Sequence, residues 1–438
     1  MSQNSKVALY TLGCKLNFSE TSTISRQFQE AGYVKVSFDE WSNVYIINTC
    51  SVTDNADKKC KGLVKKAKQI NPLSKVIIIG CYAQLKPEEI NQIEGVDLVL
   101  GANEKFDIIS YIEKSESEQK TIYQQSIKNT TLFQPSFSAG DRTRSFFKIQ
   151  DGCDYFCTFC TIPLARGKSR NASIEQTFLE AQKIAETACK EMVLTGVNIG
   201  DFGQKSNEDF YQLIQQLDEL NGIERIRISS IEPNLLNEDI IRFCLLKSKK
   251  FMPHFHIPLQ SGQDRLLNAM RRKYDTSLFK QRIELIHSIS PDSCIGIDVI
   301  VGFPGESDDD FEETVRFIQS LNVHYLHVFT YSERDNTSAI KMENPVSMEK
   351  RKERSKRLHI LSEKLKRQFY ENQKGKVKKV LFEQENDSDK MYGFTDNYIK
   401  VITTYSLELS NKIVDVKLTQ INSEGLMKCE LIGMEERL

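Results

Sequence analysis

The sequence predicts a multidomain α/β protein that ends in a small all-β domain. The chain has 438 residues, enough for about three domains. Two stretches alternate apolar runs with amphipathic segments, a pattern typical of parallel sheets with helices on both faces. After residue 374 the pattern changes to short β-type runs separated by polar turns. A hydrophobic content of 39% and a charged content of 27% exclude a disordered or fibrous chain.

The first predicted domain covers residues 1–125 and contains a parallel sheet. Its strands are predicted at Val7–Leu12, Val44–Ile47, Val76–Ile79 and Val96–Leu100. Cys14, Cys50 and Cys81 each follow one of these strands closely. Ligands of parallel sheets bind at the carboxyl ends of the strands. Three thiolates converging there could hold three irons of a cluster and leave one iron free. Burial as small hydrophobic side chains is the alternative.

The second predicted domain covers residues 142–345. A polar stretch precedes it at 113–141, and we predict a linker or wrapped loop there, with the linker proper at 126–141. Six strands at crossover spacing favour a partial (β/α)6 barrel, whose active site would lie at the strand carboxyl ends. These strands are Ser145–Gln150, Glu191–Thr195, Arg225–Ser230, His254–Leu259, Ile295–Val301 and Val323–Tyr331.

A basic helix, assigned to residues 346–373, connects the barrel to the last domain. Between residues 349 and 379 there are 13 lysines and arginines and 4 acidic residues, a net charge of +9. Residues 374–438 predict an OB-like barrel of four or five strands. Basic charge beside such a barrel favours RNA, although a solvated helix face is the alternative. The candidate RNA contacts are Lys376, Lys378, Lys379, Tyr392, Phe394 and Tyr398.

The cysteine content indicates metal chemistry rather than disulfides. The N-terminus lacks a signal-peptide pattern, and no apolar run approaches the ~18 residues of a membrane span. We therefore expect a cytoplasmic protein, in which thiols stay reduced. Eleven cysteines, an odd number, cannot all pair with one another. Five of them lie on predicted helices or apolar strands and are interpreted as structural: Cys60, Cys189, Cys244, Cys294 and Cys429.

The sharpest motif is Cys153, Cys157 and Cys160, directly after the first predicted barrel strand. Three thiolates at this spacing can hold three irons of a [4Fe–4S] cluster, and no fourth cysteine follows nearby. The fourth iron is then open for a ligand. A zinc site is the alternative, but zinc needs four ligands, and the nearest histidines, His254 and His256, are far away in the sequence. We interpret these histidines as packing or polar-network residues.

Seven segments together resemble the methylthiotransferase family of radical S-adenosylmethionine enzymes. They are TLGCKLN, IINTCSVT, GCYAQ, KIQDGCDYFCTFCTIPLARGKSR, VLTGVNIGDFG, FHIPLQSGQDRLLNAMRRKY and DVIVGFPGE. The resemblance covers essentially the full length. It implies a flavodoxin-like N-terminal methylthiotransferase domain, a radical S-adenosylmethionine barrel and a C-terminal TRAM barrel. The segment Gly-Cys-Lys-Leu-Asn at 13–17, with Lys15 after the cysteine, resembles the branch that modifies N6-threonylcarbamoyladenosine in tRNA. At the position of Lys15, the isopentenyladenosine branch usually has Gln and the ribosomal-protein branch has Pro.

The resemblance implies a two-stage reaction with two [4Fe–4S] clusters and two molecules of S-adenosylmethionine. One molecule would methylate a sulfur on the auxiliary cluster held by Cys14, Cys50 and Cys81. The other would be cleaved at the Cys153, Cys157 and Cys160 cluster to a 5′-deoxyadenosyl radical. That radical would remove hydrogen from C2 of the adenine at tRNA position 37, where the methylthio group is installed. Since this C–H bond is unreactive toward acids and bases, the cofactor carries the difficult step.

The resemblance also implies residue roles and partners. Residues at or after barrel strands would contact S-adenosylmethionine, with turn or core positions as the alternative: Gly196, Val197, Asn198, Ser229, Gln260 and Asp298. Phe159 would pack on the adenine or offer backbone groups to it. Arg166 and Arg170 could pair with the cofactor carboxylate or with substrate groups, or they could be surface arginines. The implied partners are the anticodon stem-loop of tRNA and a flavodoxin or ferredoxin that donates one electron. We expect a monomer that does not bind membranes.

Two alternatives from other functional classes remain open. A sibling methylthiotransferase would act on isopentenyladenosine in tRNA or on an aspartate of a ribosomal protein. A non-catalytic iron–sulfur protein would bind RNA or carry electrons. Such a protein has no use for an open-iron cysteine motif inside a barrel, and cleavage of S-adenosylmethionine distinguishes it from both enzymes.

Overall fold

The computed structural model describes residues 5–50, 54–118, 121–140 and 143–433. Residues 119–120 and 141 of the predicted polar stretch lie outside these ranges. The described chain contains a six-stranded sheet, a four-stranded sheet, a three-stranded sheet and a closed five-stranded barrel. None of the described helices is long and apolar enough to cross a membrane.

The N-terminal sheet is parallel throughout. Its strands are β1 (Lys6–Thr11), β2 (Val34–Val36), β3 (Val44–Thr49), β4 (Lys75–Gly80), β5 (Leu98–Leu100) and β6 (Ile122–Tyr123), in the order β2-β1-β3-β4-β5-β6. Its helices are α1 (Lys15–Glu30), α2 (Asp54–Ile70), α3 (Cys81–Leu85), α4 (Pro87–Asn91) and α5 (Ile108–Glu118). Separate apolar cores lie on its two faces. The central strands are buried on both sides, which explains their continuous apolar sequence.

The middle of the chain forms two adjacent sheets over one large core. The first contains β7 (Ser136–Phe137), β8 (Arg144–Lys148), β9 (Glu191–Thr195) and β10 (Arg225–Ile228). The second contains β11 (His254–Gln260), β12 (Cys294–Val301) and β13 (Tyr325–Thr330). Its helices are α6 (Ile162–Arg166), α7 (Ile174–Ala185), α8 (Phe210–Asp218), α9 (Glu238–Arg242), α10 (Asp264–Ala269), α11 (Thr276–Ile289) and α12 (Asp308–Ser320). All six predicted strands are present as β8 to β13.

The polar stretch at 113–141, predicted to be a linker or wrapped loop, is partly regular instead: its first residues belong to helix α5, which ends at Glu118, and two short strands follow. Strand β6 pairs in parallel with β5, and strand β7 pairs antiparallel with β8. The backbone groups of this polar stretch are therefore partly satisfied by strand pairing, which a hydrophobic pattern cannot reveal.

The C-terminal part begins with the basic helix α13 (Met348–Glu371). The barrel that follows contains β14 (Val377–Phe382), β15 (Lys390–Thr395), β16 (Lys400–Thr404), β17 (Ile413–Ile421) and β18 (Met427–Leu431). The strand order β14-β15-β16-β18-β17 closes on itself. Strands β15 and β16 are separated by a turn that includes Tyr398, whose φ is 68°.

Candidate functional site

The three clustered cysteines lie in the loop between β8 and α6. The backbone N–H of Cys160 donates to the Cys157 carbonyl at 3.0 Å, and the N–H of Tyr155 donates to Cys153 Sγ at 3.4 Å. Burial raises the pKa of the Cys153 and Cys160 thiols to about 12, and Cys157 raises both further. The three thiols therefore lie near one another, as a shared cluster requires.

The Gln150 side chain links this cysteine loop to the loop after β9 through hydrogen bonds. Its Oε1 accepts the N–H groups of Val197 and Asn198 at 3.0 and 2.8 Å. Its Nε2 donates to the Gly152 carbonyl at 2.7 Å. A Cβ on Gly196 would lie 2.9 Å from Gln150 Oε1, so this close approach requires glycine. Gly196, Val197 and Asn198 thus lie beside the cysteine loop.

Arg272 supplies a direct contact to one cysteine that the sequence did not indicate. Its Nη1 lies 3.1 Å from Cys157 Sγ, while Nη2 pairs with the buried Glu232 carboxylate. The Glu232 carboxylate holds the pKa of Arg272 well above its usual value, despite burial. A permanent cation therefore faces the sulfur of Cys157.

A pocket of about 340 Å³, here called the cofactor pocket, opens beside Cys160 and is also lined by Phe159, Gln260 and Asp298. Gln260 follows a bulge in β11 and has a φ of 66°. Its buried Oε1 has no hydrogen-bond partner among the described residues. Burial disfavours the Asp298 carboxylate, but His256 and the neighbouring His327 hold its pKa well below the usual range.

Two more buried acceptors lie at the loop after β9. Asn198 Nδ2 donates to Asp201 Oδ2 at 2.7 Å, which leaves Asn198 Oδ1 and Asp201 Oδ1 without partners in the described chain. Burial raises the pKa of Asp201 to about 6. Buried acceptors of this kind are normally satisfied, so their arrangement fits a bound ligand that carries hydrogen-bond donors.

The other cysteines come together at the carboxyl edge of the N-terminal sheet. Strand pairing places Asn48 beside Thr11, and Gly80 beside Thr49. Cys14, Cys50 and Cys81 therefore follow three adjacent strands. A Cβ on Gly13, whose φ is 108°, would lie 2.8 Å from Cys50 Cβ. Burial raises the pKa of the Cys81 thiol, and nearby Cys14 raises it further.

A second cavity of about 340 Å³, here called the central cavity, lies against Cys14. Its walls come from the N-terminal segment, the middle sheets and the C-terminal barrel. It is lined by Thr11, Gly13, Cys14, Lys15, Phe18, Arg144, Phe146, Val193, Arg227, Ile228, Ser229, His254 and Tyr398. Loss of bulk water lowers the pKa of the Lys15 ammonium. A cysteine, three cations and an aromatic ring can surround an anionic, planar ligand.

A hydrogen-bonded chain of side chains connects the two cavities. Tyr325 Oη lies 2.8 Å from His254 Nε2 and 3.3 Å from His256 Nδ1. His256 Nε2 lies 2.8 Å from Asp298 Oδ1, and His327 Nδ1 lies 3.3 Å from the same oxygen. His254 and His256 are polar-network residues, as interpreted from the sequence. Their grouping with Asp298 and His327, which brings together side chains from three neighbouring strands, was not predicted.

Not all of the predicted cofactor residues line the cofactor pocket. Ser229 lines the central cavity instead. The guanidinium of Arg166 is buried and contacts Glu20 and Asp151 at 3.1 and 3.0 Å. Arg170 pairs with Asp151 at 2.9 Å. Both arginines thus have carboxylate partners within the chain, and neither is an unpaired surface arginine.

The predicted RNA residues separate into two groups. Lys376 and Lys379 pair with Asp292 and Asp415 at 2.8 and 3.2 Å, and Lys378 lies between two carboxylates. Tyr392 lies under the Lys400 ammonium. Phe394 and Tyr398 instead form a stack that continues onto His254 at the central cavity, with ring centroids 4.9 and 4.0 Å apart.

Known proteins resemble the chain over nearly its whole length. Residues 6–101 match the model described as Uncharacterized protein family UPF0004, and residues 147–318 match the Radical SAM superfamily. The chain is 39% identical to the threonylcarbamoyladenosine tRNA methylthiotransferase MtaB of Bacillus subtilis, over 94% of this chain and 93% of the relative. It is 30% identical to the tRNA-2-methylthio-N(6)-dimethylallyladenosine synthase of Syntrophus aciditrophicus, over 93% and 88%. The chain belongs to the methylthiotransferase family of radical S-adenosylmethionine enzymes.

A solved structure agrees with this assignment at the level of the fold. The radical S-adenosylmethionine methyltransferase TsrM from Kitasatospora setae superposes with a TM-score of 0.58 at 10% identity, over 77% of each chain. As a radical S-adenosylmethionine methylthiotransferase, the chain is an enzyme that transfers a methylthio group. Its two cysteine triads and the two cavities beside them are the candidate active site.

Proposed function

We propose that this chain converts N6-threonylcarbamoyladenosine at position 37 of tRNA into its 2-methylthio derivative. The relatives from Bacillus subtilis and Aquifex aeolicus, 39% and 36% identical, carry the name of this activity. The observation that carries the proposal is the central cavity. It brings Cys14, from one cysteine triad, into the same space as residues of the barrel and of the C-terminal β-domain.

Each cysteine triad fits a [4Fe–4S] cluster with one open iron. Cys14, Cys50 and Cys81 would hold the auxiliary cluster, and Cys153, Cys157 and Cys160 would hold the radical cluster. When bound, the clusters and S-adenosylmethionine supply the transferable sulfur, the methyl group and the radical that removes the C2 hydrogen. The protein positions the reactants and limits the access of water.

Residues of the cofactor pocket and of the loop after β9 are proposed to hold S-adenosylmethionine. Phe159 contributes an aromatic ring edge-on to Phe303, which fixes its orientation. Gln260, Asn198 and Asp201 offer buried acceptors for the ligand's amino and hydroxyl groups. The Asp298 carboxylate is kept ionised and suits a ribose hydroxyl or an ammonium.

The remaining predicted contacts keep their proposed roles under this function. Ser229, which lines the central cavity, would contact the reacting groups from the substrate side. Arg166 and Arg170 would act by fixing the loop that follows Cys160, through Glu20 and Asp151. Lys376, Lys378 and Lys379 would exchange their carboxylate partners for RNA phosphates. The stack of Phe394 and Tyr398 would support the unpaired target base.

The domain assignments follow from the same proposal. The strand order of the N-terminal sheet supports a flavodoxin-like methylthiotransferase domain at 1–125. The parallel sheets at 142–345 support a partial (β/α)6 radical barrel, joined through 126–141. The basic helix at 346–373 and the closed barrel at 374–438 support a TRAM domain. We further propose a cytoplasmic monomer that receives electrons from a flavodoxin or ferredoxin.

Mass spectrometry of tRNA nucleosides tests the function directly. A strain that lacks the gene is complemented with the wild type, with Cys81→Ala or with Cys189→Ala. Cys189 lies outside both triads and donates to the Glu191 carbonyl, so its variant is a matched control. We expect 2-methylthio-N6-threonylcarbamoyladenosine to be lost without the gene and restored by the wild type and the control only.

Two outcomes would contradict the proposal in different ways. If that nucleoside persists and 2-methylthio-isopentenyladenosine disappears, or if peptide mass spectrometry shows that methylthio-aspartate disappears from a ribosomal protein, the substrate is wrong and the family assignment stands. If Cys81→Ala restores the nucleoside fully, the auxiliary cluster is not held as proposed.

A further inference from the structure

Lys15 places an unpaired ammonium group in the wall of the central cavity. The residue follows Cys14 and begins helix α1. Among the residues that the structure describes, no carboxylate or hydrogen-bond acceptor contacts its Nζ. Arg144 and Arg227, both also in the cavity wall, lie near enough to act on it electrostatically. The cavity thus collects three cations around one space.

The carboxylates near this space are engaged elsewhere. Glu191 is fully buried and binds Arg227 Nε at 2.8 Å. Glu383 binds Arg144 at 3.2 Å. Asp298 is held by His256 at 2.8 Å and by His327 at 3.3 Å. With these carboxylates engaged, the solvent-exposed Lys15 ammonium has no carboxylate partner in the described chain and is free to bind an anionic ligand that enters the cavity.

The two arginines are less free to bind a ligand than Lys15. The terminal nitrogens of Arg227 donate to the carbonyls of Asp396 and Thr395 at 2.8 and 2.7 Å. Arg144 lies over the Phe394 ring, 4.4 Å from its centroid, and keeps only part of its donors for a ligand. Lys15 is therefore the cation of the cavity wall with the most donors available to an anion, followed by Arg144.

We propose that Lys15, assisted by Arg144, binds the free carboxylate of the threonylcarbamoyl group and so selects the acidic nucleoside. This inference rests on the proposed function. The threonyl carboxylate is the one anionic group on the modified base. Because it is covalently attached to that base, the two enter the cavity together. An ammonium that would otherwise stay unpaired gains a charge-assisted hydrogen bond, while a neutral substituent leaves it unpaired.

Binding of a matched pair of RNAs tests this role. The ligands are an anticodon stem-loop with N6-threonylcarbamoyladenosine and the same stem-loop with the carboxyl converted to a primary amide. Dissociation constants are measured with the full-length, cluster-loaded chain. We expect the wild type to prefer the acid about tenfold, as one hydrogen bond between charged groups gives. Lys15→Gln should bind both equally, and Lys15→Arg should keep the preference.

The controls separate the carboxylate from the RNA phosphates. Lys114→Gln removes an exposed lysine of α5 that lies outside the cavity wall, and it should keep the wild-type preference. If Lys15→Gln weakens both RNAs by the same factor, Lys15 binds a phosphate and the inference is wrong. If Lys15→Gln keeps the preference for the acid, Lys15 does not read the carboxylate.

The proposed function fails in a distinguishable way. In that case the wild type binds the modified stem-loop no better than one with unmodified adenosine, and it leaves both unmethylthiolated. That result would overturn the substrate and this inference together. Wild-type methylthiolation of the modified stem-loop combined with an unchanged acid preference in Lys15→Gln would overturn the role of Lys15 alone.

Discussion

At the residue scale, Arg272 is positioned to tune the electronic properties of the cluster that we propose for Cys153, Cys157 and Cys160. Its Nη1 donates to Cys157 Sγ at 3.1 Å. Hydrogen bonds and positive charge at a ligating sulfur stabilise the more negative, reduced cluster. We expect Arg272→Met to shift the reduction potential of this cluster to a more negative value, as measured by a redox titration followed by electron paramagnetic resonance.

Two further variants make the Arg272 prediction specific. Arg272→Lys keeps the charge and should retain most of the wild-type potential. Arg271→Met removes the exposed neighbouring arginine and should leave the potential unchanged. An equal shift in Arg271→Met and Arg272→Met would show that the contact with Cys157 is not the cause.

His324 makes the stability of the chain depend on pH. Its buried Nδ1 accepts the Ile295 N–H at 2.9 Å, and burial lowers its pKa to about 3. Between about pH 6.5 and pH 3 this imidazole binds a proton in the unfolded chain but not in the folded one. Protonation therefore stabilises the unfolded state relative to the folded state in this range. The contribution of His324 is complete above pH 6.5 and decreases toward pH 3. Within that range the free energy of unfolding decreases by about 1.4 kcal/mol for each pH unit of acidification.

Urea unfolding between pH 7.5 and 5 measures this effect. His324→Asn keeps an acceptor without a titrating ring, and its stability should fall less steeply with acid than that of the wild type. His359→Asn, at an exposed position of α13, should keep the wild-type slope. If His324→Asn and wild type lose stability in parallel, His324 does not titrate as described.

At the scale of elements, helix α1 connects the N-terminal sheet to the middle of the chain through a buried ionic cluster. The Glu20 carboxylate contacts Lys105 at 2.6 Å, Lys148 at 3.1 Å and Arg166 at 3.1 Å. These cations hold the pKa of Glu20 well below its usual range against the effect of burial. Arg166 also lies near Cys81 and Cys14, so these ion pairs connect two of the N-terminal cysteines to the middle of the chain.

We expect Glu20→Gln to destabilise the chain strongly, because it leaves buried cations without their shared carboxylate. The loss should be about 3–5 kcal/mol in the free energy of unfolding by urea. Glu116→Gln breaks an exposed pair with Lys75 and should change the midpoint little. Similar midpoints for the Glu20 and Glu116 variants would contradict the assigned role of the cluster.

At the scale of the whole molecule, strand β10 holds the C-terminal barrel against the middle sheets. Arg225 donates to the carbonyls of Phe394 and Lys379 at 3.1 and 2.8 Å. Arg227 makes two similar contacts from the same strand. The central cavity has walls from all three parts of the chain. The contacts of Arg225 and Arg227 with the C-terminal barrel therefore keep the barrel side of the cavity in place.

Limited proteolysis measures the docking of the C-terminal barrel. We expect Arg225→Ala to increase tryptic cleavage at Lys374 by about tenfold, since it removes two charge-assisted hydrogen bonds from the interface. Arg242→Ala, which breaks an exposed pair with Glu238, is the matched control and should leave the rate unchanged. Unchanged cleavage in Arg225→Ala would show that other contacts hold the barrel.

Sequence reasoning located most strands and both cysteine triads because these are local signals. Buried parallel strands such as Val44–Thr49 and Lys75–Gly80 need continuous apolar runs, and these are visible within a few residues. A cluster loop needs closely spaced thiols, as at Cys153, Cys157 and Cys160. The short pairings of Ile122–Tyr123 and Ser136–Phe137 were missed, because a two-residue strand has no periodicity to detect.

By itself the sequence indicated the α/β class, the all-β C-terminal part, the positions of the two cysteine triads and the methylthiotransferase resemblance. Only the tertiary structure decided which distant charges meet: Glu20 with Arg166, Arg272 with Cys157, and Lys15 with Arg144 and Arg227 around the central cavity. Apolar periodicity reports only whether a side chain faces a core. The partner of a buried charge depends instead on how sheets and barrel pack together, and no local pattern records that packing.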